Sequence, residues 1–199
     1  MLVINKNGSI VNDRVKVKIF HGIEKRALVK IKGIILHQTG GSSAQSSFNS
    51  YNSGRAGAHL LIDKDGTIYQ TASLLKQTWH VGKLRSRCLA EIKCSPTELK
   101  LLKKFNPSAT HKREMKKEIP YRYPSNSDSI GIEIVGLALP LSEPDPDKRT
   151  YEALTKEQSV SLEWLLSELK LELKLLLTEV FRHPTVSYKN KTEAATATW

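Results

Sequence analysis

Long apolar runs, aromatic side chains and cysteines are all scarce in this 199-residue chain. No stretch of roughly 18 apolar residues occurs, so the sequence predicts no segment inserted across a membrane. Aromatic residues make up only 7% of the chain, too few for the base-stacking surface of a protein that binds single-stranded nucleic acid. The two cysteines, Cys88 and Cys94, are compatible with one small disulfide and equally with two reduced thiols.

Basic side chains, by contrast, are abundant. The sequence has 31 Lys and Arg against 20 Asp and Glu, which gives a formal net charge of +11. Such a surface attracts an anionic partner through long-range forces that salt weakens. Nucleic acid and bacterial cell wall are both anionic, but the basic residues are not interleaved with aromatics. The wall or its fragments are therefore the expected partner, and nucleic acid is not.

Apolar patterning predicts a single α/β domain, for which 199 residues with 39% hydrophobic content suffice. Alternating or continuous apolar runs predict strands over Ile31–Leu36, Ala58–Ile62, Thr67–Gln70, Ser129–Val135 and Thr178–Phe181. The Asp65–Gly66 pair supplies the positive φ angles of a tight hairpin between the second and third of these strands. Helices are expected over Ser43–Ser53, Thr97–Lys104 and Thr155–Leu177, the last of which begins with Thr155 and Gln158 as a capping box.

Two segments differ from this core pattern. Residues 2–20 alternate apolar and polar side chains around turn signals, which predicts short strands, and residues 1–30 are expected to be an accessory region. Residues 83–127 are rich in Lys, Arg, Ser and Pro and show little periodicity, which favours a long insertion on the surface. The main domain is therefore expected over residues 31–199, with residues 83–127 inserted into it.

Three residues that are distant in sequence could form a metal site. His37 ends a predicted strand, and His183 and Glu193 lie ten residues apart in the predicted terminal loop. Two imidazoles and a carboxylate, with one open position, suit the zinc of a hydrolase. Spacing alone is weak evidence, because six histidines produce such a pattern by chance and a lone strand-end histidine is more often a hydrogen-bonded core residue.

A carboxylate occupies an unusual position in the strand predicted at Ser129–Val135. The isoleucines of this strand share one face, and Glu133 projects from the opposite face. Such a carboxylate needs either a partner, as a structural acid, or a chemical task.

Five motifs follow one another in the chain. They read IILHQT at 34–39, GAHLLIDKDGTIYQ at 57–70, WHVG at 79–82, SIGIEIVG at 129–136, and His183 followed ten residues later by the glutamate of KTE at 191–193. In this order they resemble the zinc amidase superfamily, which includes bacterial and phage N-acetylmuramoyl-L-alanine amidases and animal peptidoglycan recognition proteins. The resemblance covers roughly residues 32–82 and 129–199. The chain departs from the family pattern at Glu193, where the family has Asp or Cys, and at Ala194–Ala195, where it has prolines and glycines.

The resemblance implies a mixed central sheet flanked by helices, with Zn²⁺ in a surface groove. It implies His37, His183 and Glu193 as the metal ligands. A glutamate in place of aspartate adds one methylene, and its carboxylate oxygen still suits zinc.

The resemblance also implies the reaction, which is hydrolysis of the amide bond between N-acetylmuramic acid and L-alanine in peptidoglycan. Glu133 would act on the attacking water, and Lys191 would stabilise the oxyanion. The residues expected to line the substrate site are His59, Trp79 and His80, whereas His21 and His111 are expected to be ordinary surface residues.

A non-catalytic relative that binds peptidoglycan is the alternative, although such a binder would need neither the metal ligands nor Glu133 together with Lys191. The first 20 residues lack the pattern of a secretory signal peptide. The expected setting is therefore action in the periplasm after export by another route, as for a type VI secretion effector, with action in the cytoplasm as the alternative. An effector of that kind implies an immunity protein that blocks the groove, and a monomer is expected.

Overall fold

The chain forms eleven strands and six α-helices in a computed structural model, which describes residues 2–199. The strands are β1 (Val3–Ile4), β2 (Ile10–Val11), β3 (Val15–Val17), β4 (Glu24–Ala27), β5 (Gly33–Gly40), β6 (Leu60–Ile62), β7 (Ile68–Gln70), β8 (Lys76–Thr78), β9 (Ser129–Leu139), β10 (Thr150–Tyr151) and β11 (Val180–Arg182). The helices are α1 (Ala44–Ser53), α2 (Arg87–Ala90), α3 (Pro96–Leu102), α4 (Pro107–Glu114), α5 (Lys156–Leu173) and α6 (His183–Val186). No helix among the described residues has the length and apolar character needed to cross a bilayer.

The main sheet is mixed, as expected from the sequence. Its strands are ordered β11-β5-β9-β6-β7-β3, with β10 paired to β9. Strands β11, β5, β9 and β6 run parallel to one another, whereas β6 pairs antiparallel with β7 through the predicted hairpin. The expected α/β fold with a mixed central sheet is therefore confirmed.

The side chains of the central strands alternate between two faces of the sheet, one of which is apolar while the other carries His37 and Glu133. Ile130, Ile132 and Ile134 of β9 pack in one core cluster with Leu162, Leu165, Leu166 and Leu169 of α5. The residues between the isoleucines face the other way, where Phe48 of α1 packs. The helix α5 thus covers one face of the sheet, and the side chain of Glu133 belongs to the opposite face.

The boundaries of the elements differ from the predicted ones at several ends. The capping box of Thr155 and Gln158 is present, but α5 ends at Leu173 and not at Leu177, because Lys174 adopts a left-handed conformation with φ 53°. Strand β9 extends four residues beyond its predicted end, to Leu139. Apolar periodicity continues through these ends, so it could not locate them.

The N-terminal residues contribute to the core as well as to the surface. Strands β1 and β2 form a small antiparallel pair, and β3 joins the main sheet beside β7. Leu2, Ile10 and Val15 are buried in the same core cluster as the central strands. Part of the segment expected to be accessory is therefore packed into the domain.

The segment 83–127 contains α2, α3 and α4, of which only the helix at α3 was predicted. The side chain of Arg87 attaches this segment to the rest of the domain, because its guanidinium donates to both carboxylate oxygens of buried Glu179, at 3.1 and 3.0 Å. Cys88 and Cys94 form a disulfide, the first of the two alternatives that the sequence allows. The segment therefore has a fixed shape at the surface, with buried anchor residues that its composition did not indicate.

Candidate active site

Strand pairing brings His37 and Glu133 together. In the parallel pair β5–β9, His37 lies directly beside Glu133, and both side chains leave the face opposite α5. Leu61 of β6 is the neighbour of Glu133 on its other side. A strand-end imidazole and a carboxylate 96 positions apart in sequence are thus adjacent in the sheet.

The three expected metal ligands converge at one point. His183 Nδ1 lies 2.9 Å from His37 Nδ1 and 2.9 Å from Glu193 Oε1, and His37 Nδ1 lies 3.5 Å from Glu193 Oε1. Ligand atoms of a tetrahedral zinc with bonds near 2.0–2.1 Å are separated by about 3.3 Å, so this triangle has the right size. All three residues are buried, and they form one of the groups in the described chain that could hold a metal ion.

The surrounding hydrogen bonds orient the ligand atoms toward this point. His183 Nε2 donates to the carbonyl of Val81 at 2.8 Å, which leaves the Nδ1 lone pair free for a metal. The loop that carries Glu193 is held by Gln38, whose Oε1 accepts from the backbone N–H of Ala194 at 3.1 Å. Ala194 has a positive φ of 54° and is fully buried, so the loop reaches the site without the family's glycine. The residues present therefore fit a zinc ion.

The electrostatics of the ligands also suit a metal. Burial, together with the neighbouring His183, lowers the pKa of His37 to about 4, so its imidazole is neutral at pH 7. Burial alone would raise the pKa of Glu193, but the adjacent rings of His183 and His37 outweigh it and lower that pKa to about 2. A neutral imidazole at His37 and an ionised carboxylate at Glu193 are protonation states that bind a cation.

Glu133 has the opposite character. Burial raises its pKa to about 8, with a further contribution from the negative charge of Glu193. Its Oε2 atom is buried and makes no hydrogen bond within the described residues. A carboxyl group with an unpartnered oxygen and a pKa near neutrality is suited to exchange a proton with a substrate or water.

A groove of 780 Å³ opens over these residues. His37, His183, Glu193 and Glu133 all line it, together with Trp79, whose indole is 51% exposed. The lining also includes three small polar residues of α1, namely Ser46, Ser47 and Ser50, together with Asn126. The groove thus offers both polar groups and the flat apolar surface of Trp79 to a ligand.

The other two expected substrate contacts occupy different positions. His80 lines the groove, where its Nδ1 lies 2.9 Å from His37 Nε2, so it also supports the back of a metal ligand. Its ring packs on Gly131, where any side chain would approach the ring to 2.7 Å. Burial lowers the pKa of His80 well below its ordinary value, and so do the neighbouring imidazoles.

His59 lies outside the groove and has no exposed surface. Its Nε2 donates to the carbonyl of Lys76 at 2.8 Å, and its Nδ1 accepts from the backbone N–H of Gly131 at 3.0 Å. Both ring nitrogens thus bridge neighbouring strands, and burial lowers the pKa of His59 to about 4. The ring of His59, the residue before β6, is therefore turned into the interior, and its expected contact with a substrate stays a prediction.

The lysine expected to stabilise the oxyanion, Lys191, and its neighbour Lys189 differ in their positions relative to the groove. Lys191 is exposed and does not line the groove, whereas Lys189 does. The charge of Lys189 lowers the pKa of both Glu133 and His37, so it is the nearer cation. The sequence holds no signal that separates the two lysines, because both lie in the same loop after His183.

Two tyrosines of the groove were missed by the sequence analysis. The helical spacing of Tyr51 and Phe48 predicts that both are core residues of α1, and the ring of Tyr51 does pack in that core. Tyr51 also lines the groove, where its buried hydroxyl lies near the charge of Glu133. Tyr151 of β10 also lines the groove, and burial with the nearby Glu193 and Glu133 charges raises its pKa to about 12.

Of the two histidines expected at the surface, His21 is exposed, whereas His111 is partly buried and accepts from the backbone N–H of Leu84.

Comparison with known proteins agrees with this geometry. The structure is similar to that of a selenomethionine derivative of AmpD, with a TM-score of 0.56 and 16% identity over 96% of this chain and 91% of that one. It is also similar to PlyL, with a TM-score of 0.53 and 15% identity over 88% and 84% of the two chains. AmpDh3 from Pseudomonas aeruginosa, in complex with anhydromuramic pentapeptide, has a TM-score of 0.50 and 19% identity over 94% of this chain and 58% of that one.

Likeness at such low identity shows the fold, and no curated protein matches the chain in sequence. The family model described as N-acetylmuramoyl-L-alanine amidase, however, matches residues 27–196, which include every metal-ligand candidate and Glu133. This chain therefore belongs to the N-acetylmuramoyl-L-alanine amidase family.

Proposed function

We propose that this protein is a zinc-dependent hydrolase that cleaves the amide bond between N-acetylmuramic acid and L-alanine in peptidoglycan. The observation that carries the proposal is the convergence of His37 Nδ1, His183 Nδ1 and Glu193 Oε1 beside Glu133 in one open groove. Binding of anhydromuramic pentapeptide by the structural neighbour AmpDh3 supports a muropeptide as the ligand class. A pure binding relative would use neither the ligand triangle nor a carboxyl group with an unpartnered oxygen.

His37, His183 and Glu193 would hold the metal. When bound, zinc supplies a Lewis acid that polarises the scissile carbonyl and lowers the pKa of a coordinated water. The three residues contribute one negative charge among them, because both imidazoles are expected to bind as neutral ligands. The hydrogen bond from His183 to Val81 and the packing of His80 behind His37 keep the rings in place.

Glu133 would carry the proton. Its Oε2 makes no hydrogen bond with any residue that the structure describes, so it can accept a proton from the attacking water and later donate it to the departing amine of L-alanine. Because burial raises the pKa of Glu133, the protonated form is accessible near neutral pH, which the second of these steps needs. The carboxyl group would thus act first as a base and then as an acid.

Replacing the two lysines of the terminal loop in turn tests which one stabilises the oxyanion. We expect Lys189→Gln to lower kcat by about tenfold, because Lys189 lines the groove while Lys191 does not. The matched variant Lys191→Gln should have a smaller effect. Steady-state kinetics on a soluble muropeptide, with zinc content measured in both variants, gives the comparison. The opposite ranking would return the role to Lys191, as the family resemblance implies.

Digestion of purified sacculi tests the proposed reaction directly. The expected soluble products are stem peptides with a free L-alanine amino terminus, identified by mass spectrometry, while the glycan strands keep their length. Chelation should stop their release, and added zinc should restore it. Binding to sacculi without any released peptide would instead support the non-catalytic relative.

The proposed setting is the periplasm, where the substrate lies. The Cys88–Cys94 disulfide supports an oxidising compartment, since such bonds are rare in the cytoplasm. Export by a type VI machine, and a cognate immunity protein seated in the groove, are the corresponding proposals for delivery and control. Action in the cytoplasm on recycled fragments is the competing setting, and a monomer is proposed in both.

A further inference from the structure

Most of the net charge of the chain resides in the segment 83–127. These 45 residues contain twelve Lys and Arg and four Asp and Glu, so they carry a net +8 of the +11 on the whole chain. The buried members of the set are neutralised locally, as Arg87 is by Glu179 and Glu114 is by Lys117. The unneutralised positive charge therefore lies on the outer side of the segment.

Helix α3 and the three residues after it form an exposed part of this segment. None of the residues of α3 is buried. Its apolar side chains are nevertheless large, with Leu99 43%, Leu101 52% and the following Phe105 78% exposed. Three exposed lysines alternate with them, and together these residues define the α3 surface: Leu99, Lys100, Leu101, Lys103, Lys104 and Phe105.

The α3 surface is held in place by its surroundings. The ammonium of Lys117 pairs with both Glu98 and Glu114, which ties α3 to α4. The guanidinium of Arg113 donates to the carbonyl of Leu101 at 3.3 Å. The exposure of the apolar side chains is therefore a property of a pinned helix and not of a loose end.

The position of Phe105 relates this surface to the groove. Its ring meets that of Tyr188 edge-on, with ring centres 5.6 Å apart. Tyr188 precedes Lys189, which lines the groove. The α3 surface consequently lies next to the loop that borders the active site.

We propose that the α3 surface docks the protein onto a lipid bilayer that carries anionic headgroups. Lysines alone would suit any polyanion, including the wall itself, but a polyanion gives no reason to expose two leucines and a phenylalanine beside them. A bilayer interface accepts both, because the lysines meet the headgroup phosphates while the apolar side chains enter the boundary with the acyl chains. Docking of this kind is peripheral and needs no membrane-spanning segment. It does not depend on the proposed amide hydrolysis.

Co-sedimentation of the full chain with lipid vesicles tests the proposal. The protein should pellet with vesicles of equal parts phosphatidylglycerol and phosphatidylcholine at about 0.1 M salt, and much less with phosphatidylcholine alone. The triple variant Lys100→Gln/Lys103→Gln/Lys104→Gln should bind the anionic vesicles about a hundredfold more weakly, since each lysine near such a surface contributes roughly fivefold. The double variant Leu101→Ser/Phe105→Ser should lose at least about tenfold with every lysine retained.

Matched variants on another surface control for charge and apolarity. Replacing Lys6, Lys156 and Lys174 by Gln removes the same charge, and Leu171→Ser/Leu176→Ser removes two leucines that are each 71% exposed. Both controls should bind like the parent, and circular dichroism should show every variant folded. Equal losses in the test and control lysine variants, or parental binding by Leu101→Ser/Phe105→Ser, would overturn the proposal. Retention of vesicle binding by the triple lysine variant together with lost binding to sacculi would overturn it too, and would assign the surface to the wall.

Discussion

His183→Ala should abolish both zinc binding and the release of stem peptides from sacculi. His183 Nδ1 is the central atom of the ligand triangle, at 2.9 Å from each of the other two ligand atoms. Alanine leaves one imidazole and one carboxylate, a set that does not retain zinc against competition from solvent and buffer. The zinc content found by metal analysis should therefore fall from about one zinc per chain to a small fraction of that, and turnover should fall with it. His37→Ala should behave in the same way.

The control for this experiment is His21→Ala, which removes an equally sized imidazole whose side chain is 86% exposed and is not part of the groove lining. It should keep the parental zinc content and turnover. Thermal melting of the metal-free proteins separates a lost ligand from a lost fold, because bound zinc adds stability only to a protein that still binds it. Zinc should raise the melting temperature of the parent and of His21→Ala, and leave that of His183→Ala unchanged. Full zinc occupancy in both His183→Ala and His37→Ala would reject the assigned metal site.

Glu133→Gln should lower turnover by roughly 10²–10⁴ while zinc content and substrate binding stay at the parental level. The amide is nearly isosteric with the carboxylate but cannot accept the proton of the attacking water. Because Oε2 of Glu133 makes no hydrogen bond among the described residues, the substitution breaks none at that atom. Its effect should therefore appear in kcat and not in folding.

Stability provides the contrast with a structural role for Glu133. A buried acid that served the fold would leave its former partners unpaired on substitution, at a cost of about 1–3 kcal/mol. The geometry predicts the reverse for the metal-free protein. Burial raises the pKa of Glu133 from its ordinary value of 4.5 to about 8, so this group lowers the stability progressively as the pH rises from 4.5 to about 8, and glutamine removes that loss. The variant should melt at the parental temperature or above it at pH 8–9, measured on the same preparation as turnover.

A Glu133→Gln variant that melts like the parent and still cleaves sacculi at near-parental rate would contradict the proposed mechanism. Asp128→Asn is not a suitable control, since Asp128 accepts several hydrogen bonds from its surroundings. Glu157→Gln is a better one, because this exposed carboxylate belongs to α5, which packs on the face of the sheet opposite Glu133, and its replacement should leave both measurements unchanged.

The candidate site could be predicted in large part because its residues obey local rules. The two-residue repeat of β9 separates Glu133 from the isoleucines, and this inference needs no knowledge of the neighbouring strands. Asp65–Gly66 and the Thr155–Gln158 capping box mark a hairpin and a helix start through bonds made within a few residues. The ordered motifs around His37 and His183 then identified the family, which the comparisons confirm.

Other features depended on which distant segments pack together. Lys189 and Lys191 are chemically alike and two residues apart, and only the path of the terminal loop places one of them on the groove. His59 belongs to the motif at 57–70 that suggested a substrate contact, yet its ring bonds to β8 and β9 from inside the fold. No pattern within a single element contains that information.

The sequence by itself determined the family, the order of the main strands and helices along the chain, and the ligand types, because periodicity, turn chemistry and motif spacing are properties of neighbouring residues. Only the tertiary structure decided that His37 stands beside Glu133, that Glu193 reaches His183 despite Ala194, and that α3 stays exposed in a segment held by the buried Arg87–Glu179 pair. These outcomes depend on strand register, loop paths and the burial of charge. Each of them is set by free energies of packing between segments that lie tens of residues apart.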